Sequence, residues 1–120
     1  MRILIIDDDS SFVAELVDNL KLRDLKFEFD SVYDVQSAIR CLHLNIYDVI
    51  ICDLVLPGAP EGGMKVLEEI EAQNLQNSAR IFVLSGSFGF KPEDFSVNIE
   101  FLRKPIRPSE LFKLISKNTP

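Results

Sequence analysis

The chain has 120 residues, 47% of them hydrophobic and 27% charged, with a formal net charge of −6. That is the size and balance of one globular domain with a single core, not of a disordered or disulfide-stapled chain. Net acidity without a basic stripe argues against direct nucleic-acid binding, and no apolar stretch approaches a membrane span.

Ile3-Leu4-Ile5-Ile6 is a short apolar run of the kind that forms a central parallel strand covered on both faces. Met1-Arg2 enters it without the features of a signal peptide, so a cytoplasmic location is expected. Asp7-Asp8-Asp9 follow, and Ser10 and Ser11 can cap a helix that places Val13, Leu16, Val17 and Leu20 on one face. Lys26-Phe27-Glu28-Phe29-Asp30 alternates polar and apolar residues, which fits an edge strand with one wet face. Asp34 is a good cap for a helix carrying Val35, Ile39, Leu42 and Ile46. His43, the single histidine, falls near the end of that helix and is expected on the surface, favourable to the helix dipole. Val49-Ile50-Ile51-Cys52 is a second buried run and ends at Asp53. Cys41 and Cys52 make neither a metal-ligand spacing nor a disulfide framework and read as reduced packing residues. Val66, Leu67 and Ile70 mark a third helix. Ile81-Phe82-Val83-Leu84 is a buried run ending at Ser85-Gly86, and Ile99-Glu100-Phe101-Leu102 is a shorter strand ending at Lys104-Pro105. Pro108 opens a last helix with Leu111, Phe112, Leu114 and Ile115.

Strands and helices alternate, and the simplest closure of five strands is an α/β doubly wound parallel sheet in the flavodoxin-like order 2-1-3-4-5. No linker, repeat or low-complexity segment divides residues 1–120, which are expected to form one domain. Gly86-Ser87-Phe88-Gly89-Phe90-Lys91-Pro92 stands where the fourth crossover helix should begin. An atypical, short helix starting near Pro92-Glu93-Asp94 is expected there. Phe88, Phe90 and Phe95 either form an exposed partner patch or fold inward to replace a lost helix face.

In such a sheet the carboxyl ends of the strands face one crevice where the strand order reverses, and Asp7, Asp8 and Asp53 converge on it. This oxygen-only, anionic set suits a hard divalent ion. Mg²⁺ usually takes one or two carboxylates, keeps waters and leaves room for a phosphoryl oxygen. Asp9 is read instead as a helix cap. Ser85 and Lys104 close the fourth and fifth strands on the same edge, where a hydroxyl and an ammonium can hold phosphoryl oxygens.

The ordered set Asp7-Asp8, Asp53, Ser85 and Lys104-Pro105, each at a strand end, resembles the receiver domain of two-component response regulators over essentially the whole chain. The resemblance implies a signalling switch in which Asp53 is the phosphoacceptor for a phosphohistidine donor. It implies that Asp8 binds Mg²⁺ directly and Asp7 largely through water, with Asp53 and the backbone carbonyl of Val55 completing the protein ligands. Lys104 would pair with Asp53 at rest and with the phosphoryl group afterwards, Ser85 would hydrogen-bond that group, and Phe101 would change rotamer. Family members often have a cis bond between this lysine and proline. A histidine kinase or histidine phosphotransfer protein is the implied donor, with a downstream protein target. Phosphorylation-dependent homodimers are common in the family. No enzymatic turnover is implied beyond the domain's own phosphotransfer and autodephosphorylation.

Departures from the family pattern are as informative. Phe101 lacks the hydroxyl of the usual tyrosine. Gly58-Ala59-Pro60-Glu61-Gly62-Gly63 makes the loop before the third helix about two residues longer than usual, and the stretch from Ser85 to Lys104 is about three shorter. Val55 and Ser87 lie where the family tunes phosphoryl lifetime, and an apolar Val55 cannot hydrogen-bond a water. An adaptor working without phosphorylation is a second reading, disfavoured by the intact acidic set, Ser85 and Lys104. A Mg²⁺-dependent phosphohydrolase would need a second acid where Val55 stands. A nucleotide or flavin site would want a phosphate loop in place of the aspartates. No output domain follows the last helix, so either a stand-alone regulator or a receiver from a longer protein is expected.

Overall fold

The structure, a computed structural model, describes residues 1–23, 26–54, 62–86 and 99–116. Within these residues the elements are β1 (Arg2–Ile6), α1 (Ser10–Arg23), β2 (Glu28–Val32), α2 (Val35–Leu44), β3 (Val49–Asp53), α3 (Gly62–Ala72), β4 (Arg80–Ser85), β5 (Glu100–Arg103) and α4 (Pro108–Ser116). A single 3₁₀ turn, Leu75–Asn77, links α3 to β4. All strand pairings are parallel and the order is β2-β1-β3-β4-β5, as expected from the sequence. The fourth crossover, with Ser87, Phe88, Phe90 and Phe95, lies outside the described residues, as does Val55.

Successive side chains of a strand point to opposite faces, so a sheet covered on both sides needs apolar residues at every position. Leu4, Ile6, Ile50, Cys52, Ile81 and Val83 share one core with Ala38 and Leu42 of α2 and Val66, Leu67 and Ile70 of α3. Their chain neighbours Ile3, Ile5, Val49, Ile51, Phe82 and Leu84 share the other with Leu16 and Leu20 of α1 and Leu111 and Ile115 of α4. Phe82 is fully buried, and truncating such a ring to alanine costs about 3–5 kcal/mol.

Several boundaries differ from the sequence reading. The second strand runs Glu28–Val32 rather than Lys26–Asp30, because its start is fixed by pairing Arg2 with Glu28 and Ile6 with Val32. Its central Asp30 is half-buried, held by the Arg2 guanidinium at 3.0 Å and the Tyr47 hydroxyl at 2.7 Å. The second helix ends at Leu44. Asn45 turns to extended backbone with its N–H on the Cys41 carbonyl, which leaves Ile46 outside the helix and 84% exposed. The last strand is shifted by one residue, to Glu100–Arg103, by its pairing with β4.

The helix ends follow local rules. Asp34 accepts from the Ser37 amide at 2.7 Å and the Ser37 hydroxyl at 3.0 Å, and these bonds hold its carboxyl below the ordinary carboxylate value. Asp9 caps α1 by accepting from the Phe12 amide at 3.1 Å. Arg80 ties the sheet to the end of α4, donating to the carbonyls of Leu114 and Ile115 while its other nitrogens grip Glu100. His43 is exposed, as expected, and gains a partner the sequence did not reveal: its Nε2 lies 2.7 Å from Glu69 of α3.

Candidate functional site

Strand order reverses between β1 and β3, which pair side by side with Ile6 opposite Cys52. The next residue on each strand is an aspartate, so the fold sets Asp7 and Asp53 together at the mouth of the crevice. Ligand oxygens of Asp7, Asp8 and Asp53 all lie within 4.8 Å of one another, with Asp7 and Asp53 buried and Asp8 exposed. Three hard oxygen donors with one open flank are what a divalent ion retaining water requires. The fit to a hard cation is therefore good.

Lys104 comes from the far edge of the sheet and bridges the two buried acids, its Nζ donating to Asp7 Oδ2 at 2.9 Å and to Asp53 Oδ2 at 3.1 Å. The other Asp7 oxygen accepts from the Asp9 amide at 2.9 Å. Burial pushes the Asp7 carboxyl above its ordinary 3.8, with Asp53 adding repulsion, although Lys104 and the Asp9 amide pull the other way. Burial draws the Lys104 ammonium down, but its bonds and attraction to Asp7 and Asp53 outweigh this and raise it above 10.5. The Lys104–Pro105 peptide is cis.

Ser85 ends β4 one residue past Leu84, which pairs with Asp53, and it is fully buried. Its carbonyl accepts from the Lys104 amide at 2.9 Å, joining the last two strand ends. Beside it stands Gly86: among the described residues, a Cβ there would meet only the Lys104 Cβ, at 4.0 Å. Phe101 pairs with Val83 in the sheet and packs, half-buried, on the core beneath α2 and α3. Cys52 lies under the site as a buried, free thiol that donates to the Asp53 carbonyl at 3.3 Å. Burial holds this thiol protonated.

Two contributors went unrecognised in the sequence. Gly62 and Gly63, read as loop, form the first turn of α3. A Cβ on Gly63 would stand 2.4 Å from the Leu54 Cα and 2.7 Å from the Asp53 carbonyl oxygen, and the Gly63 amide donates to the Leu54 carbonyl at 3.1 Å. Glycine is required for so close an approach, and it braces the backbone directly after Asp53. The Gly-Gly pair at a helix start was the available signal. The second is Phe12, whose ring centroid lies 5.3 Å from the Lys104 ammonium. No spacing rule links positions so far apart in the chain.

The family model of the response regulator receiver domain matches residues 3–116, and the chain belongs to that family. It is a receiver domain of two-component signalling, a family whose general property is acceptance of a phosphoryl group on an aspartate. Among curated relatives it is 27% identical to hybrid signal transduction histidine kinase B of Dictyostelium discoideum, over 98% of this chain and 6% of that protein. It is also 27% identical to the regulatory protein VanR of Enterococcus faecium, over 92% of this chain and 46% of that protein. The chain thus spans less than half the length of either relative. Among solved structures, the receiver domain of a sensor histidine kinase from Pseudomonas aeruginosa, with magnesium coordinated in its active-site cleft, matches with 25% identity and a TM-score of 0.72, covering 97% of this chain and 94% of that one. The chemotaxis response regulator CheY4 of Vibrio cholerae shares the fold with 23% identity and a TM-score of 0.76, over 97% and 96% of the two chains.

Proposed function

We propose that this chain is a phosphorylation-dependent switch in which Asp53 accepts a phosphoryl group from a phosphohistidine donor, with Mg²⁺ held by Asp7, Asp8 and Asp53. One observation carries this reading: three carboxylates meet within 4.8 Å while a single lysine bridges Asp7 and Asp53. The oxygen-only set suits Mg²⁺, the ion coordinated in the cleft of the Pseudomonas receiver. When bound, that ion offsets repulsion between an anionic nucleophile and an anionic phosphoryl group. The Val55 carbonyl would complete the protein ligands.

Asp53 supplies the nucleophile. One carboxylate oxygen forms the new P–O bond as the P–N bond of the donor breaks, and the departing imidazole nitrogen takes up a proton. Lys104 can transfer a hydrogen bond from Asp53 to a phosphoryl oxygen, and the Ser85 hydroxyl donates to another. Phe101, which pairs with Val83 in the sheet and packs on the core, then changes rotamer to fill the vacated space, without the hydroxyl of the usual tyrosine. Residues 1–120 act as one receiver domain in the cytoplasm. No described helix is long and apolar enough to cross a membrane.

A histidine kinase or histidine phosphotransfer protein donates, and a downstream protein reads the switched surface. Phosphorylation drives homodimer formation, without direct contact to nucleic acid. The only turnover is transfer to Asp53 and hydrolysis of the resulting acyl phosphate. Incubation with acetyl phosphate and Mg²⁺, borohydride trapping and peptide mapping test the central step. Reduction confined to position 53 is expected. A trapped adduct on any other aspartate would contradict the assignment.

A further inference from the structure

Among the described residues, one aromatic side chain touches the site without belonging to its acidic or phosphoryl-binding groups. Phe12, half-buried in the first turn of α1, holds its ring centroid 5.3 Å from the Lys104 ammonium. That is inside the ~6 Å range over which an aromatic face attracts a cation. Asp9, Phe12, Lys104, Pro105 and Ile106 together wall a cleft of about 280 Å³ on this flank. Among the described residues the ammonium therefore has three attractive contacts: Asp7 Oδ2 at 2.9 Å, Asp53 Oδ2 at 3.1 Å, and the Phe12 ring.

Two of these contacts are conditional. Asp7 and Asp53 are the same carboxylates that would hold the metal, and Asp53 would become an acyl phosphate, so their hold on Lys104 weakens when either event occurs. The ring carries neither charge nor titratable proton and is indifferent to both. A lysine stem has four rotatable carbons, and fixing its head costs rotamer entropy at the moment of reaction unless another contact has already restrained it.

We propose that Phe12 is a positioning residue for phosphotransfer, its ring face keeping the Lys104 ammonium beside Asp53 while metal and phosphoryl group take over the carboxylates. The proposal rests on Asp53 being the phosphoacceptor.

Wild type, Phe12→Leu, Phe12→Met and Phe12→Tyr separate this role from simple packing. Acetyl phosphate at saturating Mg²⁺ is the probe, because so small a donor does not report on a protein docking surface. Phe12→Leu and Phe12→Met fill the space without an aromatic face and should slow phosphorylation by roughly three- to tenfold, whereas Phe12→Tyr should stay within about twofold of wild type. In ¹⁵N-lysine-labelled protein loaded with Mg²⁺, the Lys104 ammonium protons should be ring-current shifted upfield in wild type and Phe12→Tyr. They should move downfield in the leucine and methionine variants. Wild-type rates in both non-aromatic variants, or a Lys104 resonance that ignores them, would overturn the positioning role while the adduct on wild type stands. Absence of any adduct on wild type would instead overturn the phosphoacceptor reading and, with it, the role of Phe12.

Discussion

Replacing Lys104 by methionine keeps the stem and removes the charge that Asp7 and Asp53 share. Lys104 lies 2.9 Å from one carboxylate and 3.1 Å from the other, and the acids lie within 4.8 Å of each other. At an effective dielectric of about 20, each contact is worth about 5 kcal/mol before desolvation, and the mutual repulsion of the acids costs at least about 3 kcal/mol. Desolvation offsets much of the attraction. Removing one partner of a buried set costs about 3–5 kcal/mol, and the 24% exposure of Lys104 puts the expected loss near the lower end, about 3 kcal/mol. For a domain of this size that is a fall in Tm of roughly 10 °C. The deficit should depend on pH. Without Lys104 the Asp7 carboxyl, already raised above 3.8, climbs further, and a raised carboxyl lowers stability above its unfolded value and restores it as pH falls. The gap between wild type and Lys104→Met should therefore narrow from neutral pH toward mild acid. Mg²⁺ should then stabilise the variant more than wild type, by roughly 1–2 kcal/mol, because it relieves repulsion that Lys104 no longer relieves. Thermal unfolding with and without Mg²⁺ reads all three effects. An unperturbed metal-free Tm, or a Mg²⁺ shift no larger than that of wild type, would refute this reasoning.

Gly63→Ala should cost about 2–3 kcal/mol and slow phosphorylation, because its Cβ would lie 2.4 Å from the Leu54 Cα. Unfolding and acetyl phosphate assays check both effects, and a neutral substitution would show that α3 does not brace Asp53. Burial and the bond to Asp30 raise the Tyr47 phenol above its ordinary 10.0, so the folded chain keeps a proton that the unfolded chain releases. Stability should therefore fall as pH rises past 10.0. Tyr47→Phe should melt slightly below wild type at neutral pH, by about 1 kcal/mol, and lose less on the alkaline side. Parallel alkaline declines in the two proteins would contradict that assignment.

The fold was readable because β1, β3 and β4 are near-continuous apolar runs, and alternate residues of those runs do enter the two cores as the pattern requires. The acidic set was readable for a related reason. A run that ends in aspartate at the switch point of a parallel sheet has only one place to put it. Asp9 as a cap and Cys52 as packing were likewise legible from type and position. What pairing decides was not legible: Glu28 and Glu100 begin their strands because of their partners on β1 and β4. The close approach of Gly63 and the ring of Phe12 on Lys104 depend on distances between distant segments, which no local pattern encodes. The atypical fourth crossover and Val55 fall outside the described residues.

Intact mass after incubation with acetyl phosphate, on wild type and Asp53→Asn with Mg²⁺ or with EDTA, tests the phosphoacceptor assignment most directly. A single base-labile phosphoryl adduct on wild type, dependent on Mg²⁺ and lost in Asp53→Asn, is the expected result. An adduct that survives in Asp53→Asn, or one formed equally in EDTA, would contradict it.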